Sequence, residues 1–311
     1  MDEEWRFKSM NMGRELEVAG EFVYQSAKKM KQLKRVHYIF DVNSVLYFGS
    51  VGIERLQKIY LCLTYPMEKL DSINCLKGHN HLELEKAIIE SSNKRLPQNG
   101  RSLLGLYVDY YNNYRYGNYK PWKTQKGVSE LLAGFLKKKN GKFNFFEPCT
   151  EANFEEFRKF YINELGKVAY HYYELIVKKA HDLYVYTYEI ESDSNAARVF
   201  WNIDKRTLYG EIIHEEEAIK ELLIFIYQHN GSTKLYNLLN EIKPLELDEG
   251  MINDYLSYIC TGRISDYLSD EVDECYEMIV DKKELNNRKE LLSLIGNQDV
   301  LFDWDEEDDD F

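Results

Sequence analysis

The stretch Leu103–Tyr119, LLGLYVDYYNNYRYGNY, combines closely spaced tyrosines with a single arginine. Four of its rings have the i, i+3, i+4, i+7 spacing that forms one stripe on a helix: Tyr107, Tyr110, Tyr111 and Tyr114. Arg115 follows this stripe, while Gly117 and Pro121 predict the C-terminal end of the helix. We therefore expect a helix that is either the central packing element of a bundle or a surface on which a nucleobase stacks.

The segments on both sides of this helix also show helical rather than alternating periodicity, which favours an all-α fold. The chain has 311 residues, of which 44% are hydrophobic, so it can bury a substantial core. No period of 20–50 residues recurs, so a solenoid is not expected. Further helices are predicted over residues 14–35, 37–63, 126–139, 151–167, 168–190, 215–228, 232–242, 248–260, 263–280 and 284–295.

Composition divides the chain into two helical regions and a tail. Asn140 and Gly141 form a turn signal and Pro148 interrupts the helical pattern, so a boundary is predicted between residues 137 and 149. The tail is too polar to order itself. The expected regions are residues 1–145, an up-and-down helical bundle; residues 146–300, a second all-helical region; and residues 301–311, an acidic tail.

Charge is distributed unevenly along the chain. Residues 1–150 contain 24 Lys and Arg against 16 Asp and Glu, whereas the remainder contains 16 against 37. The first part is therefore expected to attract a polyanion such as RNA or a nucleotide, and the acidic second part is expected to attract a basic protein partner. The same asymmetry also fits attraction between the two parts, or two ordinary solvated surfaces.

The cysteines are scattered: Cys62, Cys75, Cys149, Cys260 and Cys275. An odd number without a Cys-x-x-Cys pair predicts buried thiols rather than a disulfide framework or a zinc site. His79 and His81 cannot both face one metal from a regular helix, so we expect capping or packing roles for them and no metal or other cofactor. No apolar run approaches the length of a spanning helix and the N-terminus lacks a signal peptide's apolar region, so we expect a cytoplasmic protein without a membrane partner.

Two segments carry specific helix signals. In LKGHNHLELEKAI, residues 76–88, Asn80 is a predicted N-cap and Glu83 stands where a capping box requires it. In the preceding helix, Glu54 and Lys58 have the i, i+4 spacing of an ion pair, which we expect on the outer face.

Three segments in this order resemble HEPN domains: SVGIERLQKIYLCL, KGHNHLELEKAI and LYVDYYNNYRYGNY. These domains are small helical bundles found in minimal nucleotidyltransferase pairs, in abortive-infection and toxin systems, and in CRISPR-associated ribonucleases. The residues that carry the resemblance are Glu54, Arg55, Leu56 and Lys58 in one helix, Gly78, His79, Asn80 and Leu82 at the start of the next, and Arg115 with Tyr116 after the tyrosines. The resemblance covers roughly residues 10–140 and implies a bundle that forms a homodimer.

The chain departs from the ribonuclease members of that family in one motif. Those members have an arginine followed four to six residues later by a histidine, and the site is completed across a dimer. The residues after Arg115 are YGNYKPW, without a histidine, and no other arginine has the required spacing. The motifs GxxxxGK[ST], GxGxxG, HExxH and GxSxG are absent as well, which excludes the enzyme classes that they define.

Three functions remain open. The favoured one is a non-catalytic HEPN-like module of a bacterial defence or toxin–antitoxin system that binds RNA, a nucleotide or a protein. Its candidate nucleic-acid contacts are Lys28, Lys31, Arg55, Tyr111, Tyr114 and Arg115. The second is a divergent metal-independent endoribonuclease, in which Arg115 holds the phosphate and His79 is the general acid or base. The third is a helical scaffold without either activity.

Overall fold

The computed structural model describes residues 3–34, 36, 39–116, 119, 127–140, 151–185, 199–200, 207–228, 234–261, 266–297 and 300. Within these ranges the chain forms helices and the turns between them, and it forms no strand. The predicted all-α fold class is therefore confirmed.

The α-helices of the described residues are α1 (Glu3–Arg6), α2 (Met12–Lys31), α3 (Ile39–Thr64), α4 (Asn74–Lys77), α5 (His81–Ser92), α6 (Gln98–Asp109), α7 (Val128–Asn140), α8 (Glu151–Asp182), α9 (Leu208–Gln228), α10 (Lys234–Glu241), α11 (Ile252–Thr261), α12 (Asp266–Met278) and α13 (Lys282–Leu294). A π-helical turn, Phe7–Asn11, joins α1 to α2, and a second one, Tyr110–Tyr114, continues α6. Short 3₁₀ helices occur at Met67–Ser72 and Glu249–Met251.

The helices expected at residues 151–167 and 168–190 form one helix, α8. A stripe of buried side chains runs along it and passes through the expected break: Tyr161, Leu165, Val168, Tyr172 and Ile176. Because this stripe keeps the i, i+3 or i+4 spacing throughout, a single continuous helix buries all of it against the bundle.

Contacts within the chain define two compact units, Met1–Ile213 and His214–Phe311, and the division falls within α9. The boundary predicted near residue 145 lies outside the described residues, and α8, which follows it, shares a hydrophobic core with α2 and α3. The first unit contains 32 Lys and Arg against 27 Asp and Glu, whereas the second contains 8 against 26. The acidic excess of the chain therefore belongs to the second unit.

The central helix of the first unit is α3, which packs against α2, α5, α6, α7 and α8. Gly52 allows α2 to approach closely, because a Cβ atom there would lie 2.9 Å from Val23 Cγ2 and 3.0 Å from Val23 N. The tyrosine-rich helix α6 packs beside α3 and contributes to the core without being its centre.

Tyrosine hydroxyls pair with one another inside this core. Tyr107 and Tyr110, two members of the stripe seen in the sequence, are almost fully buried. The Tyr107 and Tyr161 hydroxyls lie 3.0 Å apart, and the Tyr161 hydroxyl lies 3.1 Å from Ser26 Oγ, which donates to the Val45 carbonyl at 2.8 Å. The hydroxyls of Tyr107, Tyr161 and Ser26 therefore each have a polar partner, as burial requires.

A second buried polar cluster joins α3, α5 and α8. His81 Nδ1 lies 3.0 Å from Gln57 Oε1, and Gln57 Nε2 lies 2.9 Å from the Tyr172 hydroxyl. That hydroxyl donates to Glu85 Oε2 at 2.6 Å, and the Leu96 amide donates to Glu85 Oε1 at 3.3 Å. Burial lowers the pKa of His81 to about 4, so this histidine is a neutral core residue at pH 7.

The described part of the second unit consists of shorter helices with more exposed surface. Asp248 caps one helical turn by accepting from the Gly250 amide at 2.8 Å, and Asp281 caps α13 by accepting from the Lys283 amide at 2.8 Å. Among the described residues, no helix is both long enough and apolar enough to cross a membrane.

Candidate functional site

The first unit contains an open cleft of ≈ 670 Å³, lined by both π-helical turns, α2, α3, the segment before α5 and the residue after the second π-helical turn. The side chains on which its chemistry depends are Tyr47, Glu54, Arg55, Lys58, His79, Tyr111 and Arg115. Four residues that the sequence singled out as candidates therefore meet in one place: Arg55, His79, Tyr111 and Arg115.

Glu54 and His79 form a carboxylate–imidazole pair in this cleft. His79 Nδ1 lies 3.0 Å from Glu54 Oε1 and 3.1 Å from Glu54 Oε2, and Lys58 Nζ lies 2.8 Å from Oε1. Because an ionised carboxylate only accepts hydrogen bonds, His79 Nδ1 carries a hydrogen atom and donates a hydrogen bond to Glu54. Nε2 has no hydrogen-bond partner among the described residues, and the His79 side chain is 48% exposed. The carboxylate thus fixes the ring while the second nitrogen is left for a ligand.

The start of α5 explains why His79 reaches the cleft. Asn80 Oδ1 accepts from the Leu82 amide at 3.1 Å and from the Glu83 amide at 3.4 Å, and Asn80 Nδ2 donates to Glu83 Oε1 at 3.1 Å. The predicted N-cap is confirmed, and Glu83 contacts the Asn80 side-chain amide instead of the backbone amide that a capping box uses. Because Asn80 is the N-cap, His79 precedes the helix, and its side chain reaches Glu54 of α3.

The predicted ion pair between Glu54 and Lys58 is present, but Glu54 is buried rather than on an outer face. The difference arises because α5 packs on α3 and brings His79 against this carboxylate. His79, for which a capping or packing role was expected, instead has an exposed side chain in a cleft.

Tyr111 joins His79 to Arg115. The His79 and Tyr111 rings stack with centroids 4.4 Å apart, and the Arg115 Cζ atom lies 4.6 Å from the Tyr111 centroid. Burial raises the pKa of the Tyr111 phenol, although Arg115 acts in the opposite direction, so the phenol is neutral at pH 7. Much of the Tyr111 ring is therefore occupied by protein contacts, which limits the base-stacking role predicted for it.

Arg115 is surrounded by aromatic rings. The Arg115 Cζ atom contacts two rings in addition to Tyr111: it lies 5.1 Å from the ring centroid of Tyr47 and 5.1 Å from that of Tyr116. Within the described part of the chain, no carboxylate forms an ion pair with Arg115. An arginine that rests on ring faces keeps the N–H groups at its edge for an anion.

A π-helical turn places Arg115 at this point. The Arg115 amide donates to the Tyr110 carbonyl at 2.9 Å, which is the i→i+5 bond of a π-helix. The extra residue in this turn changes the direction of the side chains that follow it, relative to an uninterrupted α-helix. The other π-helical turn supplies Phe7 and Asn11 to the same cleft.

Two other cations of the cleft, Arg55 and Lys58, are already paired, whereas Arg14 lines it as an exposed side chain. Arg55 binds Glu15 through an ion pair and lies 5.6 Å from the Phe22 ring, and Lys58 binds Glu54. Cys62 also lines the cleft, but burial raises the pKa of its thiol to about 11, so it is protonated and a poor nucleophile.

The remaining candidates lie outside the cleft lining. Lys28 lies over the Tyr24 ring at 5.6 Å, and Lys31 forms an ion pair with Glu155 at 2.7 Å. Tyr114 packs against the hydrophobic core. Of the six predicted nucleic-acid contacts, three line the cleft: Arg55, Tyr111 and Arg115.

The chemistry of the cleft is that of an oriented imidazole beside an arginine. Such a pair can exchange a proton with a hydroxyl and neutralise a phosphate. A search of the described residues finds no group of three or more His, Cys, Asp or Glu side chains able to hold a metal ion. Comparison of the chain with family models, curated proteins and solved structures gave no match.

Proposed function

We propose that the first unit binds RNA or a nucleotide in this cleft, with Arg115 as the phosphate-binding cation. The observation that carries this proposal is that Arg115 faces aromatic rings and pairs with no described carboxylate, whereas Arg55 and Lys58 are already neutralised. A phosphate would therefore gain more from Arg115 than from Arg55 or Lys58, and the Arg115 guanidinium matches the phosphate geometry with two hydrogen bonds.

The rings around Arg115 supply a surface for a base. Tyr116 is 59% exposed, so its face is accessible, whereas Tyr111 is covered by His79 and Arg115. Stacking of a base on an aromatic side chain contributes about 1–3 kcal/mol and tolerates any sequence. We assign the stacking role to Tyr116 and leave Tyr111 to position His79 and Arg115.

We further propose that this module acts in a bacterial defence or toxin–antitoxin system and forms a homodimer, on the strength of the HEPN-like motifs. The 26 acidic and 8 basic residues of the second unit support a basic protein partner for it. Sedimentation velocity on the purified chain tests the homodimer without reference to RNA.

Cleavage of RNA is a second candidate, favoured by the geometry of Glu54 and His79. The free Nε2 of His79 would take the proton of a 2′-hydroxyl while Glu54 stabilises the imidazolium. The 2′-oxygen attacks phosphorus, the bond to the 5′-oxygen breaks, and the imidazolium returns its proton to that oxygen. The products are a 2′,3′-cyclic phosphate and a 5′-hydroxyl, and Arg115 balances the charge of the phosphorane.

The test is incubation of the purified chain with cellular RNA and tRNA in EDTA, scoring both retention and cleavage. We expect retention that Arg115→Ala weakens at least about tenfold, as loss of a charge-assisted hydrogen bond predicts. Lys28→Ala is the matched control, because it removes the same charge outside the cleft. Equal weakening by both variants would show that RNA binds by general attraction and not in the cleft.

The same assay separates the two candidates. Cleavage that is lost in His79→Ala, reduced in Glu54→Gln and yields cyclic phosphate ends supports the ribonuclease. Retention without cleavage supports the binding module, and no interaction with any RNA contradicts both.

A further inference from the structure

A second cavity of ≈ 610 Å³ lies in the first unit, between the segment after α5 and the second half of α8. None of its lining residues lines the cleft. Its lining combines cations with aromatic rings, in particular Lys94, Arg95, His171, Tyr173, Lys178 and Phe200.

Positive charge predominates around this cavity. Lys94, Arg95 and Lys178 are exposed, and in the described parts of the chain none of them forms an ion pair. Among the described residues of the lining, Glu174 is the single carboxylate. An anion that entered would therefore meet three cations that carry no counter-charge from the described protein.

The backbone that carries Lys94 and Arg95 is fixed on both sides. Asn93 ends α5 in the left-handed conformation, with φ 56°, and its amide donates to the Ile89 carbonyl at 2.9 Å. On the other side, the Leu96 amide donates to buried Glu85 at 3.3 Å. The two cations are thus held by a preorganised turn, which lowers the entropy cost of binding.

Aromatic rings form the other part of the cavity. The Tyr173 and Phe200 rings stack with centroids 4.7 Å apart and an interplanar angle of 16°, and both line the cavity. His171 also lines it, and its Nε2 atom is buried without a hydrogen-bond partner among the described residues. Because Tyr173 and Phe200 are buried, they form the wall behind the half-buried Tyr170 ring, whose centroid lies 6.5 Å from that of Tyr173. A flat ring of a ligand would therefore pack on Tyr170.

We propose that this cavity is a second ligand site and that it binds a nucleoside phosphate. The phosphate lies among Lys94, Arg95 and Lys178, and the base lies against the half-buried ring of Tyr170, which lines the same cavity. This site is independent of the cleft, because it shares no residue with it.

The test is isothermal titration of the full chain with ADP, and with adenosine and inorganic phosphate in separate runs. The variant is Arg95→Gln combined with Lys178→Gln. The matched control is Lys167→Gln, which removes a charge from the same helix at a 66% exposed side chain paired with Glu164. Arg115→Ala monitors the cleft, and thermal unfolding verifies that each variant is folded.

We expect ADP to bind the wild type, the double variant to bind it at least about tenfold more weakly, and the Lys167→Gln chain to be unchanged. Arg115→Ala should leave this binding intact, even where it abolishes RNA retention. Loss of ADP binding in Arg115→Ala alone, or equal binding of ADP and phosphate, would overturn the proposal. So would binding of single-stranded oligo(A) without binding of ADP, because the site would then be an RNA contact.

Discussion

Gly49 lies where three hydroxyl groups meet inside the first unit. A Cβ atom there would lie 2.8 Å from Ser26 Oγ and 2.9 Å from the Tyr161 hydroxyl, and it would also clash with the Tyr107 hydroxyl. Real Cβ atoms do not approach polar atoms so closely without displacement of the neighbouring side chains. The missing side chain is therefore what allows the tyrosine cluster to pack against α3.

We predict that Gly49→Ala destabilises the protein by roughly 1–3 kcal/mol, because it overpacks this cluster. Gly134→Ala is the control, since nothing lies within 4 Å of its added Cβ atom. That substitution should stabilise α7 by about 0.5–1 kcal/mol. Urea unfolding of both variants measures the two effects, and a neutral Gly49→Ala would show that the hydroxyl cluster can move apart.

His81 makes stability depend on pH. Burial lowers its pKa from 6.5 to about 4, so the folded protein binds fewer protons than the unfolded chain between these values. The contribution of neutral His81 to the free energy of unfolding is fully present above pH 6.5 and is lost as the pH falls towards 4. We predict a loss of about 2 kcal/mol between pH 7 and pH 5 from this residue.

The measurement is the free energy of unfolding at both pH values for the wild type and for His81→Asn, which keeps a polar group in the position. The variant should lose less stability than the wild type over this interval. Equal losses would mean that His81 is protonated without cost.

Among the elements, the π-helical turns have the largest effect on the site. A turn of this kind contains one residue more than the matching α-helical turn, and such turns are frequent at functional sites. Tyr110–Tyr114 directs Arg115 towards the cleft, and Phe7 and Asn11 of the other π-helical turn line the same cleft. The π-helical turn, and not only the identity of the residue, therefore determines where the Arg115 side chain lies.

We predict that deletion of Asn112, an exposed residue of this turn, restores α-helical geometry and rotates Arg115 by about 100°. RNA retention should fall as far as it does in Arg115→Ala, while the melting temperature changes little. Asn112→Ala keeps the turn and should retain RNA normally. Unchanged retention after the deletion would show that the π-helical turn does not position the phosphate-binding cation.

At the scale of the whole molecule, the two compact units differ in charge. The first unit has a small basic excess, whereas the second has 26 acidic against 8 basic residues. A large negative charge on the same chain repels RNA at low ionic strength, whatever the arrangement of the units.

We predict that a chain ending at Ile213 folds cooperatively and binds RNA about threefold to tenfold more tightly at low salt. The slope of log affinity against log salt should become steeper, because salt screens the repulsion that the full chain exerts at low ionic strength. Circular dichroism and filter binding at several salt concentrations measure both. Weaker binding by the shortened chain would place part of the RNA site in the second unit.

Local signals in the sequence determined the fold class and several elements. The periodicity of apolar residues predicts the helices, because a helix buries one face whatever it packs against. The N-cap at Asn80 and the pairing of Glu54 with Lys58 depend on residues three or four positions apart, and both are present. His79 and Arg115 could be selected as candidates from the sequence for their chemistry.

The tertiary structure alone decided what these residues do. Glu54 becomes the partner of His79 only because α5 packs on α3, a contact between residues 25 positions apart. The π-helical turn that directs Arg115 has no signal in the pattern of apolar residues, since it depends on how α6 fits its neighbours. Lys28 and Lys31 carry the right charge but lie outside the cleft, because charge counted along a sequence does not specify a face. Contacts between distant segments are set by packing of the whole bundle, and that information is not local.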